Sequence, residues 1–280
     1  MPKLTILCEN TAGTALSVLG EHGFAVLIER GCQSFLFDTG QGHTILHNTA
    51  CLKKDLSRIN KILLSHGHYD HTGGLMKVVK LAAPVDVYCH PAVFMKRYAA
   101  VKAGDKTTHR SVGMPYLRDE LEALGARFVF NTAFTKIAKG LYLTGEVPRT
   151  TLFEKNDRRL VVQKDGQYVQ DTIPDDQSLV IESGRGLAVI LGCAHSGIIN
   201  TLNHIQSQLP GKTIHTVIGG THMGFLSETQ LEKTIEHLKQ FDLKRIGVSH
   251  CTGLAPSMRL LQAFGDKFFF ANVGSVLDIA

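Results

Sequence analysis

The sequence predicts a layered α/β protein, with sheets inside and helices outside, from two observations. Short β-branched runs recur along the whole chain, and amphipathic segments of helical period stand singly between several of them. With 44% hydrophobic and 20% charged residues, the chain has the composition of a globular protein and not of a disordered, collagenous or coiled-coil one.

Strands are expected, in order, at residues 4–7, 24–28, 34–37, 61–64 and 85–88, then at 128–130, 141–144 and 160–162, and finally at 179–181, 187–191, 213–218, 245–248 and 267–271. Helices are expected at 44–52, 119–124 (stopped by Gly125), 198–209, 227–241 and 257–264. The 227–241 helix is the clearest. Ser227 and Gln230 form a capping box, and Leu231, Ile235 and Leu238 follow at i, i+4 and i+7. A faint internal echo runs through the chain. Ile28-Glu29-Arg30-Gly31 and Ile181-Glu182-Ser183-Gly184 both read as hairpins, each followed by a strand with a polar residue at its carboxyl end. Ligands of layered α/β proteins collect at that edge.

The longest apolar stretches, such as Leu187 to Leu191, are strand-sized and far short of the about 18–20 residues of a membrane span. The run from Leu4 to Cys8 is too short for the core of a secretory signal before Glu9 and Asn10. The six cysteines are scattered without a C-x-x-C pair, so a reduced, cytoplasmic protein is expected. Nothing in the sequence sets an oligomeric state.

Chemistry concentrates in Ser65-His66-Gly67-His68-Tyr69-Asp70-His71-Thr72-Gly73-Gly74, directly after the strand at 61–64. Three histidines and an aspartate within six positions are metal ligands packed onto one turn, and Gly67 would let the chain bend so that both flanking imidazoles face one ion. Asp70 and His71 then point to a neighbouring position, which suits two ions better than one.

With later single histidines on strand ends, this H-x-H-x-D-H motif resembles the metallo-β-lactamase-fold hydrolases, over nearly the whole chain. The resemblance implies a four-layer αββα sandwich spanning 1–280, with an inserted lid or loop region at about 90–175, and a metal centre along one edge of the sheets. It assigns His66, His68 and His195 to a first metal, and Asp70, His71 and His250 to a second, with Asp38 bracing a ligand imidazole. Zinc is preferred over manganese or iron in a centre of one or two divalent ions. Two-metal members carry a bridging aspartate between the late histidines. Here the only acids between 195 and 250 are Glu228, Glu232, Glu236 and Asp242, and His222 stands at the expected strand end, as a ligand or beside one. Short phrases such as Gly192–Gly197, Gly219–His222 and His250-Cys251-Thr252-Gly253 are similar to the branch that includes the dihydropterin ribofuranosylaminobenzene-phosphate synthase of methanopterin biosynthesis.

The expected activity is hydrolysis of a small anionic, phosphorylated molecule by metal-activated water, with Asp70 as the catalytic acid–base group. The alternatives are a transferase joining a dihydropterin diphosphate to an aromatic amine ribose phosphate, and a non-catalytic metal-binding sensor. Residues 96–118 carry six Lys and Arg side chains against Asp105 alone, and read as a mobile basic loop that closes over the substrate or as a solvated one. His109 and Arg110 within it, with Glu146 and Arg149 beyond it, are candidate substrate contacts, although Glu146 and Arg149 read equally as a structural ion pair on a turn. With only Tyr98 and Tyr116 near its two ends, the basic stretch has little aromatic interleaving, which argues against nucleic acid. Cys193 and Cys251 read as small apolar packing, Asp176 as a turn-former, and His22 as a surface or structural histidine.

Overall fold

The structure is a computed structural model that describes residues 2–279. Two seven-stranded sheets lie face to face. The first runs in the order Val276–Asp278, Lys3–Cys8, Ala25–Arg30, Gln33–Phe37, Lys61–Leu63, Val85–Cys89, Ala126–Phe130. The second runs Phe268–Phe270, Arg245–Ser249, Ile214–Gly220, Gly186–Leu191, Leu179–Ser183, Leu141–Leu143, Thr135–Ala138.

Period-two alternation gives the central strands two apolar faces. Phe24, Val26, Ile28, Phe35 and Phe37 join Leu141, Leu179, Ile181, Ile190 and Ile218 in the core between the sheets. Ala25, Leu27 and Leu36 face the other way, against Ile45, Leu75, Val78 and Leu121 of the helices on the outside of the first sheet. Outside the second sheet, Ile198, Leu202, Leu231, Ile235 and Leu260 cover Val189, Val217 and Ile246. This is the αββα sandwich. Among the described residues no helix is long and apolar enough to cross a membrane.

The internal echo has an architectural counterpart. In each sheet an antiparallel hairpin (Ala25–Arg30 with Gln33–Phe37; Leu179–Ser183 with Gly186–Leu191) is followed by three parallel strands. Their carboxyl ends all open on the same edge of the sandwich. Ser227 accepts from the Gln230 N–H at 3.3 Å and starts the Glu228–Leu238 helix as its capping box predicts. The Leu75–Ala82 helix is an addition to the sequence-based reading.

Two expectations for residues 90–175 change. Ala126–Phe130 closes the first sheet, while Thr135–Ala138 and Leu141–Leu143 edge the second. What stands outside both is a four-stranded sheet ordered Gln167–Gln170, Leu160–Lys164, Arg97–Ala103, Lys106–Ser111. Most of the basic stretch 96–118, from Arg97 to Ser111, is therefore a paired hairpin and not a loop, because the Arg97–Ala103 strand is hydrogen-bonded on both sides. Its charge is smaller than the sequence suggests. Arg97 is 1% exposed and neutralised by Asp171 and Asp175, and Arg118 pairs with Glu122.

Candidate metal centre

The parallel strand Lys61–Leu63 delivers Ser65 to His71 to the open edge, where Asp38 ends the neighbouring strand with a left-handed φ of 58°. Asp38 is fully buried. Its Oδ1 accepts the Ser65 N–H at 2.7 Å, and its Oδ2 accepts the Ser65 hydroxyl at 2.6 Å and the His71 Nδ1–H at 2.7 Å. These bonds fix tautomers, since a ring nitrogen that donates to a carboxylate leaves the other with its lone pair. His71 thus presents Nε2. The Ser65 hydroxyl has given its hydrogen to Asp38, so it can only accept from His66 Nδ1 at 2.9 Å, and His66 also presents Nε2. His250 donates from Nδ1 to Asn10 Oδ1 at 2.9 Å and likewise presents Nε2.

Those lone pairs converge in two adjoining groups. His66 Nε2 lies 3.0 Å from His68 Nδ1 and 3.2 Å from His195 Nε2. Beside them, His71 Nε2 and His250 Nε2 are 3.2 Å apart, and Asp70 Oδ2 is 3.2 Å from His250 Nε2 and 3.7 Å from His71 Nε2. Burial is the main reason that His66 and His195 are held well below the ordinary histidine pKa, and that His68 is held at about 3. All three are neutral imidazoles with lone pairs directed at a common point, the state a divalent cation requires. The donor set fits one ion at His66, His68 and His195, and the Asp70, His71 and His250 atoms beside it, within 3.7 Å of one another, suit a second.

Residues 19–136 match the family model described as the metallo-beta-lactamase superfamily. A crystal structure of a metal-dependent hydrolase of the beta-lactamase superfamily matches all of both chains with a TM-score of 0.84 at 27% identity. The chain belongs to the metallo-beta-lactamase superfamily. Two proteins of Methanocaldococcus jannaschii are similar to it. One, named 7,8-dihydropterin-6-methyl-4-(beta-D-ribofuranosyl)-aminobenzene-5'-phosphate synthase, is 29% identical over 98% of this chain and 96% of its own. The other, an uncharacterised protein, is 31% identical over 99% of this chain and 100% of its own. The superfamily is enzymatic, and its members bind divalent metal ions.

Against that family pattern, the turn at 65–74 is built as expected, with one change of reason. Gly67 does not take a left-handed φ. It is needed for space, because a Cβ there would meet the Val93 carbonyl oxygen at 2.1 Å and Arg97 Nη1 at 2.6 Å. Arg97 reaches this point held by Asp175, whose Oδ2 also accepts the Gly67 N–H at 2.8 Å. The small sheet is thereby tied to the metal turn.

A cavity of about 390 Å³ opens over the two groups, walled by His22, Lys102, Arg110, Asp157, Arg159 and Phe225. His222 lines it too but stands apart from the converging nitrogens. Its ring lies 4.3 Å from that of His195, its N–H donates to Cys251 Sγ, and its Nε2 is 3.2 Å from Asp157 Oδ2. Burial works against its charge, yet Asp157 and Cys251 outweigh it and raise its pKa to about 9. His222 and Arg159 in turn hold Asp157 well below the usual carboxylate range in spite of burial.

Of the four candidate substrate contacts, Arg110 alone lines the cavity, with its guanidinium 5.9 Å from the Tyr69 ring centre. His109, its neighbour on the Lys106–Ser111 strand, takes the other face and stacks on Tyr168 at 3.6 Å. Glu146 is spent on His90 at 2.9 Å. Arg149 donates to the carbonyl oxygens of His195 and Thr172, so it braces the backbone that carries His195 and leaves no fork for a ligand. Asp176 does similar work by accepting the Ser196 N–H at 2.8 Å.

Three contributions escaped the sequence reading. His22 is no bystander: its Nε2 is 3.2 Å from Asp70 Oδ2. Asp157 and Arg159 reach the cavity from the segment before the Leu160–Lys164 strand. Cys193 is not apolar packing, for its Sγ lies 3.1 Å from His71 Nε2, and with no cation present burial pushes its thiol pKa up. A histidine off the motif spacing and a cysteine where an acid is sought carry no pattern that singles them out.

Proposed function

We propose that this protein is a metal-dependent hydrolase of a small anionic, phosphorylated molecule, with one divalent ion at His66, His68 and His195 and a second at Asp70, His71 and His250. The observation that carries this reading is the convergence of imidazole nitrogens and one carboxylate, with His66, His71 and His250 oriented from behind by Ser65, Asp38 and Asn10, at the floor of a cavity walled by Lys102, Arg110 and Arg159. Bound there, the ions would bring a water toward neutral pKa and polarise a phosphoryl oxygen.

The chain supplies the rest. Asp70 stays ionised, because His71, His22 and His250 outweigh the effect of burial. It orients the attacking water and carries its proton toward the leaving group. Asp38 positions the His71 ring through Nδ1. Arg110 and Arg159 offer planar donors to the substrate's anionic group. Zinc, with manganese or iron as alternatives, and a reducing cytoplasmic setting belong to this reading, and the six free cysteines support the latter.

A second reading is favoured by the 29% identity to the M. jannaschii synthase over almost the full chain: a transferase that joins a pterin diphosphate to an aromatic amine. Metal-reconstituted protein, with metal content measured on the same sample, should be offered a phosphodiester, a lactone, and a pterin diphosphate with and without an aromatic amine. Hydrolysis of a phosphorylated compound supports the first reading, and pyrophosphate release that requires the amine supports the second. An Asp70→Asn variant with full metal content and full turnover would overturn the role of Asp70 in either.

A further inference from the structure

We propose that Cys193 is a thiolate ligand shared by the two metal positions, taking from a different place in the chain the role of the bridging aspartate that this chain lacks. The inference rests on the metal centre described above and adds a ligand to it.

Local geometry brings the sulfur there. The Gly186–Leu191 strand ends at Gly192, where a Cβ would meet Ser65 Oγ at 2.2 Å, so the strand end packs directly against the Asp38–Ser65 pair. Ala194 then takes a left-handed φ of 55°, and the reversal lets Cys193 and His195 both reach the centre. The Cys193 sulfur belongs to two donor sets, one with His66 and His71 and one with His250 and Cys251, with the ligand atoms of each set within 4.8 Å of one another. His66 lies in the first metal group, and His71 and His250 lie in the second. Cys193 is thus common to both.

No carboxylate near the site does this. Asp70 clusters with His22 and His250 on one side, Asp38 is used on Ser65 and His71, and Asp176 accepts the Ser196 N–H. Cys251 is committed as well, since its sulfur accepts the His222 N–H and its thiol faces the Cys193 carbonyl oxygen. Two adjacent dications repel each other unless an anion lies between them, and the thiolate is that anion. On binding, the thiol proton leaves to solvent and the sulfur lone pairs bond to the ions, with no change of oxidation state. A soft sulfur ligand also selects zinc or ferrous iron over manganese or magnesium.

The full chain loaded with cobalt(II) tests this, because thiolate-to-cobalt charge transfer gives a near-ultraviolet band that histidine and carboxylate ligands do not. The native protein should bind two cobalt ions and show the band, and Cys251→Ser should keep it. Cys193→Ser should lose the band and hold the second ion about tenfold or more less tightly. Cys193→Asp should lose the band yet keep two ions, which also shows that the substituted chain folds. A native two-cobalt protein without the band, a Cys193→Ser protein that retains it, or saturation at one cobalt per chain overturns the bridge and leaves a metal centre standing. Failure of the native chain to take up any cobalt overturns the centre itself, and the bridge with it.

Discussion

Arg97→Met removes a single positive charge from a place that keeps two carboxylates. Arg97 is 1% exposed, with Nε 2.8 Å from Asp171 Oδ2 and Nη1 2.9 Å from Asp175 Oδ2. Burial opposes the guanidinium's charge, but Asp175 and Asp171 outweigh it and raise its pKa further. Hydrogen bonds to charged groups contribute about 1.5–3 kcal/mol each, so two carboxylates left without their partner should cost about 3–6 kcal/mol. That agrees with the about 3–5 kcal/mol typical of breaking a buried ion pair from one side. Urea unfolding of metal-free protein, followed by circular dichroism, measures it. Adding Asp171→Asn and Asp175→Asn to Arg97→Met should recover most of the loss, because the stranded charges are then gone. Since Asp175 also accepts the Gly67 N–H between two metal-facing histidines, Arg97→Met should weaken zinc binding about 10–100-fold. A loss of stability under about 1 kcal/mol would refute the argument that this charge is needed where it is buried.

Three further outcomes are expected. Asp38→Asn keeps a side chain that tolerates the left-handed backbone but removes the anionic acceptor behind His71, so the more weakly held zinc should be lost to chelator about 10–100-fold more readily; unchanged competition would count against the bracing role. Burial raises Glu154 from about 4.5 to about 7, although it accepts the Ile199 and Asn200 N–H groups. The folded carboxyl keeps a proton that the unfolded one has released, so this group's contribution is full below about 4.5 and falls as pH rises to about 7; Glu154→Gln should flatten that slope in a pH series of urea midpoints, and parallel slopes would contradict it. Arg110→Ala should raise the inhibition constant for inorganic phosphate about tenfold or more, as loss of a charged hydrogen bond implies, and equal inhibition would remove Arg110 from the anion's surroundings.

The central strands of the two sheets and most of the helices were legible because those strands are buried on both faces and read as apolar runs, as in Ala25–Arg30 or Gly186–Leu191, whereas the more exposed edge strands Thr135–Ala138 and Val276–Asp278 give no such run. Of the small third sheet only the strand at 160–162 was legible, since strands such as Lys106–Ser111 are exposed nearly throughout and carry no hydrophobic period. At the site, the turn from His66 to His71 stood out through its spacing, and His195 and His250 through their places after strands. His22 gives no such sign, because it is brought to Asp70 by the chain's path ahead of the Ala25–Arg30 strand. Arg97 was counted as a free surface charge, because its partners Asp171 and Asp175 are more than seventy positions away in the sequence. Arg149 reads from the sequence as a substrate contact or as half of an ion pair with Glu146, and its acceptors are instead backbone carbonyls, which no residue pattern can reveal.

The donor atoms come from both sides of the sandwich: His66, His68, Asp70 and His71 follow a strand of the first sheet, and Cys193, His195 and His250 follow strands of the second. Any ion held there would therefore be a rivet through two leaves otherwise joined by an apolar core and a few hydrogen bonds, such as Lys61 Nζ to the Ile137 carbonyl, and its binding energy would count toward their cohesion. If the proposed ions bind, metal supply would then bear on the stability of the fold as well as on activity. Chelation should expose the seam to proteases before it unfolds either leaf.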